Sequence, residues 1–205
     1  MQHPHSPPIS EDAYIARERA ATDGKSEYLH GRTYAMSGGS PKHNLVAINV
    51  ARALGNALVD RPCVVLSSDQ RVCIEPTGLY TYPDVTVVCG GLKVHPRFDD
   101  TLLNPTVIVE VLSPSTEGYD RGAKFGHYRR IESLRAVLLV SQVERVVEHY
   151  AREPDGSWRL TTFTEGQTVP IPALDTSLSL NDVYAKVDLL APEPEPVPPR
   201  PKTLG

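Results

Sequence analysis

The stretch "PTVIVEVLS", residues 105–113, constrains the fold more than any other part of the chain. It is short, apolar and rich in β-branched residues, and Pro and Ser bound it. That pattern reads as a buried strand. A glutamate, Glu110, nevertheless stands in its middle. "DRGAKFGHYRRIES" follows and reads as a helix, with Asp120 placed to cap it; "RAVLLVS" then reads as another strand. "CVVLSS", "QRVCIEP" and "YTYPDVTVVCG" upstream, and "RVVEHYAR" downstream, share the strand character. Pro83 removes a ladder donor, so its strand must bend, bulge or begin there. Helix, several strands, helix and strand in this order predict an α/β (α+β) fold: a mixed β-sheet flanked by helices.

The ends follow the same logic. Ser10 before Glu11 and Asp12 predicts a helix start, an N-cap with acids near the positive dipole end, running to about Ala21. "EYLHGRTYAM" reads as a hairpin turning at His30-Gly31. "SPKHNLVAINVARALGNALVD" is the clearest helix: Pro41 suits its first turn, and Val50, Leu54 and Leu58 keep helical spacing. "EPDG" marks a turn, followed by an expected last hairpin from "WRLTTFTEG" and "TVPIPAL". The 205 residues suffice for one domain with a core. The expected organisation is a flexible Pro/His-rich segment over 1–9, one domain over 10–190, and a tail over 191–205. That tail holds six prolines and reads as extended, either solvated or binding a protein partner.

No apolar run reaches the roughly 18 residues of a membrane span, so no membrane role is expected. "MQHPHSPPIS" lacks an apolar signal region, which makes a cytoplasmic location the default. Cys63, Cys73 and Cys89 form no CxxC pair and sit in strand-like runs. They are expected as buried reduced thiols, with no disulfide framework or zinc site. The net charge of -4 gives no overall basic character. Nucleic acid stays open as a partner, since carboxylates that hold metal lower the net charge of such enzymes.

Asp84, in "TYPDVTVV", and Glu110 are the carboxylates that stand out. Ionised carboxylates are rarely buried without a partner, because desolvation is expensive. Either they lie on solvated faces, or they share a cation, Lys124 or an arginine. Magnesium fits such oxygen ligands: it takes one or two carboxylates, keeps waters and binds phosphate oxygens. Lys124 beside it would orient water or stabilise developing charge; otherwise it is a solvated helix lysine. Arg121, Lys124, Arg129, Arg130 and Arg135 either hold phosphates or form a solvated helix face. Tyr128, one turn after Lys124, reads as core packing.

"YPDVTVV" and "NPTVIVEVLSPSTEGYDRGAKFGHYRRIESLRAVLLVS" closely resemble the Uma-type family of restriction-endonuclease-like proteins. The resemblance extends to "EYLHGRTYAMSGGSPKHNLVAINVARAL" and "GQTVPIPALDTSLSLNDVY", so it covers roughly residues 10–187. That family is placed among the PD-(D/E)XK nucleases. The resemblance implies a restriction-endonuclease-like core, a mixed four-stranded sheet between helices. An N-terminal helix and hairpin and a C-terminal β extension would flank it. It implies Mg2+-dependent cleavage of DNA phosphodiesters, with Mn2+ as a substitute. Asp84 and Glu110 would hold the metal, with the Val111 carbonyl as third ligand. The wider pattern places a lysine two residues after Glu110, where this chain has Leu112, so Lys124 becomes the candidate. Glu27 would be a further acidic ligand, or a hairpin-edge glutamate. His43 would contact phosphate or a metal-associated water, or simply stand near the helix start. A homodimer is expected, since cutting two strands suits paired sites. Two alternatives remain: a catalytically decayed nucleic-acid-binding module, and a dimeric interaction domain using the Pro-rich tail.

Overall fold

The computed structural model describes residues 7–190. The proline-rich tail and most of the expected N-terminal segment lie outside the described residues. Helix α1 (Glu11–Ala20) starts at Ser10, whose hydroxyl accepts the Ala13 N–H at 3.2 Å. Strands β1 (Ser26–Leu29) and β2 (Arg32–Ala35) form the expected hairpin. His30 and Gly31 at its tip have φ of 48° and 86°. Gly31 is needed there twice over, because a Cβ would also lie 2.5 Å from Pro8 Cβ. Helix α2 (Pro41–Ala57) is capped by Ser40 and buries Val46, Val50 and Leu54.

Four strands follow: β3 (Cys63–Ser67), β4 (Arg71–Ile74), β5 (Leu79–Thr81) and β6 (Val85–Cys89). "YTYPDVTVVCG" is therefore two strands. The break at Pro83 is complete, and β5 and β6 belong to different sheets. A small hairpin, β7 (Val94–His95) with β8 (Phe98–Leu102), precedes β9 (Val107–Leu112). The basic helical stretch comes in three pieces: α3 (Glu117–Tyr119), a π-helical turn (Asp120–Lys124) and α4 (Phe125–Tyr128). Asp120 is not its cap, because the helical turns already begin before it. β10 (Ala136–Ser141), β11 (Val146–Arg152) and β12 (Trp158–Thr164) then run as neighbours. β13 (Thr168–Ile171), β14 (Thr176–Ser179) and α5 (Leu180–Val183) complete the domain. The expected last hairpin is corrected: β12 pairs with β11, while β13 pairs with β14.

The strand orders are β2-β1-β5-β4-β8-β7 and β12-β11-β10-β9-β6-β3, with β13-β14 separate. The second sheet is mixed, with β9 and β10 parallel and its other pairs antiparallel. The implied four-stranded core is thus widened to six. All six side chains of β9 are buried, so both faces of this strand are covered. Val107, Val109 and Val111 pack against α2, α5, β13 and β14. Ile108 and Leu112 face the other way, onto residues of β4, β5, β8 and α4. Glu110 shares that second face by alternation. A smaller aromatic core of Tyr14, Tyr28, Tyr80 and Phe98 seats α1 on the first sheet. No helix among the described residues is long and apolar enough to cross a membrane.

The expectation of reduced thiols holds for Cys73 alone. Cys63 and Cys89 are directly opposite in the β3–β6 ladder and are joined in a disulfide. Their Cα atoms are 4.1 Å apart, close enough for the bridge. Cys73 is buried, and burial pushes its thiol up to about 11.

Candidate active site

Strand register brings the two singled-out carboxylates together. β6 pairs with β9 so that Val85 faces Val109. Asp84 immediately precedes this ladder, close enough for its charge to act on Glu110. Asp84 Oδ2 fixes this end of the ladder by accepting the Val111 N–H at 2.7 Å. The same oxygen lies 3.3 Å from His43 Nε2, on the first turn of α2. His43 is raised from its ordinary pKa: burial opposes this, but Asp84 outweighs it, and Glu110 and the Val111 backbone add to it.

Glu110 is buried and lies at the centre of a denser cluster. Lys124 Nζ stands 2.8 Å from Glu110 Oε1, 3.4 Å from Glu27 Oε1 and 3.6 Å from Asp120 Oδ1. Lys124 is only 4 % exposed, so it is no solvated helix lysine. Leu112 fills the apolar core on the same strand face as Glu110, and the ammonium arrives from the helical segment instead. Tyr128 donates its hydroxyl to Glu110 Oε1. Glu27 is also fully engaged: Thr81 Oγ1 donates to Oε1 at 2.5 Å and Tyr119 OH to Oε2 at 3.0 Å.

Burial, with the nearby Asp84 and Asp120 charges, pushes the Glu110 carboxyl up to about 8, although Lys124 pulls it down. Lys124 moves well above its ordinary value. Burial would lower it, but Glu110, Tyr128, Glu27 and Asp120 outweigh burial. The ammonium is therefore held protonated among acids that outnumber it. Among the described residues, Glu27, Glu110 and Asp120 face Lys124 and Asp84 faces His43, so four acids meet two bases.

The donor set fits a hard divalent cation of low protein coordination. No group of three or more His, Cys, Asp or Glu side chains among the described residues is gathered to hold a metal. Magnesium needs only one or two carboxylates and keeps its waters. Asp84 and Glu110 would hold such an ion, with the Val111 carbonyl beside them. Glu27 is held by protein donors on both oxygens and also faces Lys124 Nζ at 3.4 Å.

Arg121 pairs with Glu117 and Glu148, Arg129 stacks on Phe125, and Arg135 donates to the Glu132 carbonyl. Sequence reasoning read Asp120 as a cap and Tyr128 as packing, and gave Thr81 and Tyr119 no role. The recurrence of Asp120, Lys124 and Tyr128 every four residues was the available signal, since such residues share a helix face. The π-helical turn keeps Asp120 and Lys124 on that face, and such turns recur at functional sites.

Mixed sheets flanked by helices, with a buried acid–lysine cluster where β6 and β9 meet, define a restriction-endonuclease-like fold. The fold is shared with a crystal structure from Anabaena variabilis described as "a putative nuclease belonging to DUF820". The TM-score is 0.71 at 19 % identity, covering 88 % of this chain and 99 % of that one. The chain matches the Uma2 family, described as "Putative restriction endonuclease", over residues 12–182, and it belongs to that family. Two Synechocystis proteins are similar over most of their length. "Uncharacterized protein sll1609" is 38 % identical over 72 % of this chain and 83 % of its own. "Uncharacterized protein slr1290" is 33 % identical over 87 % of this chain and 92 % of its own.

Proposed function

We propose that the protein is a Mg2+-dependent nuclease that hydrolyses DNA phosphodiester bonds, with Mn2+ as an effective substitute. One observation carries the reading: Asp84 and Glu110 come together beside a buried ammonium, in a site where acids outnumber bases. A bound magnesium ion supplies positive charge at the phosphodiester and makes water a better nucleophile. Asp84 and Glu110 would hold such an ion through carboxylate oxygen. Lys124, kept charged by its acids, orients water at the site and offsets charge developing on the phosphate. Glu27 and Asp120 hold the Lys124 side chain in place. His43 keeps the Asp84 carboxylate oriented and, on the first turn of α2, would contact a phosphate oxygen of the substrate. Paired sites of a homodimer would let the protein cut both strands.

The test is nicking of supercoiled plasmid with Mg2+ or Mn2+, wild type beside Asp84→Ala. Metal-dependent nicking by wild type, reduced to background in the variant, is the expected result. Equal nicking by both proteins, or none by wild type with either ion, would overturn the reading.

A further inference from the structure

Glu110 makes asymmetric use of its two oxygens. Oε1 accepts the Tyr128 hydroxyl and is also the oxygen nearest Lys124 Nζ, at 2.8 Å. No hydrogen bond among the described residues reaches Oε2. Oε1 is thus enclosed by a phenol and an ammonium, while no side-chain donor among the described residues holds Oε2. Asp84 repeats the arrangement: Oδ2 takes the Val111 N–H and faces His43 Nε2, and no hydrogen bond among the described residues reaches Oδ1.

Tyr128 reaches this position from the last residue of α4 and is 1 % exposed. Its ring packs in the apolar core with Ile131, Leu134 and Leu112, so the hydroxyl cannot swing away without moving that core. The carboxylate is thereby held by a side chain that never meets solvent or substrate.

We propose that Tyr128 is a positioning residue: its hydroxyl holds Glu110 Oε1 so that only Oε2 is presented to the metal ion. Glu110 is then a single-oxygen ligand, and its second oxygen stays with Tyr128 and Lys124. The proposal rests on the metal site described above and adds the residue that sets its geometry. Outer partners of metal-binding carboxylates commonly contribute about 10–100-fold in metal affinity or activity.

The experiment is calorimetric titration of the full chain with Mn2+, for wild type, Tyr128→Phe and Asp84→Ala, with thermal unfolding of each metal-free protein. The proposal expects Tyr128→Phe to bind Mn2+ about tenfold more weakly, with a cooperative melt retained. Affinity within twofold of wild type, while Asp84→Ala binds none, would overturn the role of Tyr128 and leave the metal site standing. No Mn2+ binding by wild type, or unchanged binding by Asp84→Ala, would overturn both. A Mn2+-soaked crystal of wild type tests the same point without any substitution. The expected result is contact through Oε2 alone with the Tyr128 hydroxyl still on Oε1. A Glu110 bound through both oxygens would overturn the proposal.

Discussion

Two charged clusters in this fold use the same kinds of side chain to opposite ends. A cleft of about 240 Å³ is lined by Glu18, Arg19, Lys25, Asp69, Arg71 and Asp100, among others, so three acids there meet three bases. Arg71 is buried and every arm is used: Nε on Thr101, Nη1 on Tyr82 and Nη2 on Asp100, at 2.9, 2.8 and 2.7 Å. Arg19 closes the other side of Asp100. Around Lys124 the balance fails, since Glu27, Glu110 and Asp120 share one ammonium with Asp84 close by. Asp100 is held low by its arginines, while Glu110 is pushed up to about 8. A balanced cluster leaves nothing for a ligand to do. A buried surplus of one sign costs stability, and a cation from outside would offset it.

Removing the single cation should give the largest effect. Lys124→Met leaves three acids around an apolar side chain, and breaking a buried ion pair costs about 3–5 kcal/mol. Urea unfolding at neutral pH reads this directly. A change near zero would mean the acids are already protonated, and the contrast between the clusters would collapse. Arg71→Leu should cost less, about 1–3 kcal/mol, because it strips partners from Thr101, Tyr82 and Asp100. Any metal-dependent nicking per folded molecule should be unchanged by it. A loss of nicking in Arg71→Leu at full folding would show that the balanced cluster is not purely structural.

What could be read beforehand depended on how local each feature is. The caps at Ser10 and Ser40 and the His30-Gly31 turn are set by neighbours in the chain, and they stand where the sequence put them. Glu110 stood out because a carboxylate in an apolar strand needs a partner. Its burial could not be read, since that depends on the first sheet and α4 covering the same face of β9. The hairpin of β7 and β8 was missed because Asp99 and Asp100 interrupt its apolar pattern, and their partner Arg19 lies on α1. The Cys63–Cys89 bridge needed the β3–β6 register, which no local pattern encodes. Glu27 could be read as a site member, but its contact with Thr81 could not, because that depends on β1 pairing with β5.

The smallest effect tests the sign of the balanced cluster. Burial would raise the Asp100 carboxyl, but the Arg19 and Arg71 hydrogen bonds outweigh it and hold it well below the usual range. A carboxyl depressed in the folded state binds fewer protons there than in the unfolded chain near pH 4. Its contribution is therefore complete above the unfolded value and is lost as pH falls through the folded one. The side chain is 41 % exposed, so water screens the pair and the contribution should stay under about 1 kcal/mol. Asp100→Asn should accordingly melt slightly below wild type at pH 7, and the two should converge as the solution is taken toward pH 2. A gap that stays constant across that range would assign the loss to shape rather than charge, and Asp100 could no longer serve as the balanced counterpart to Glu110.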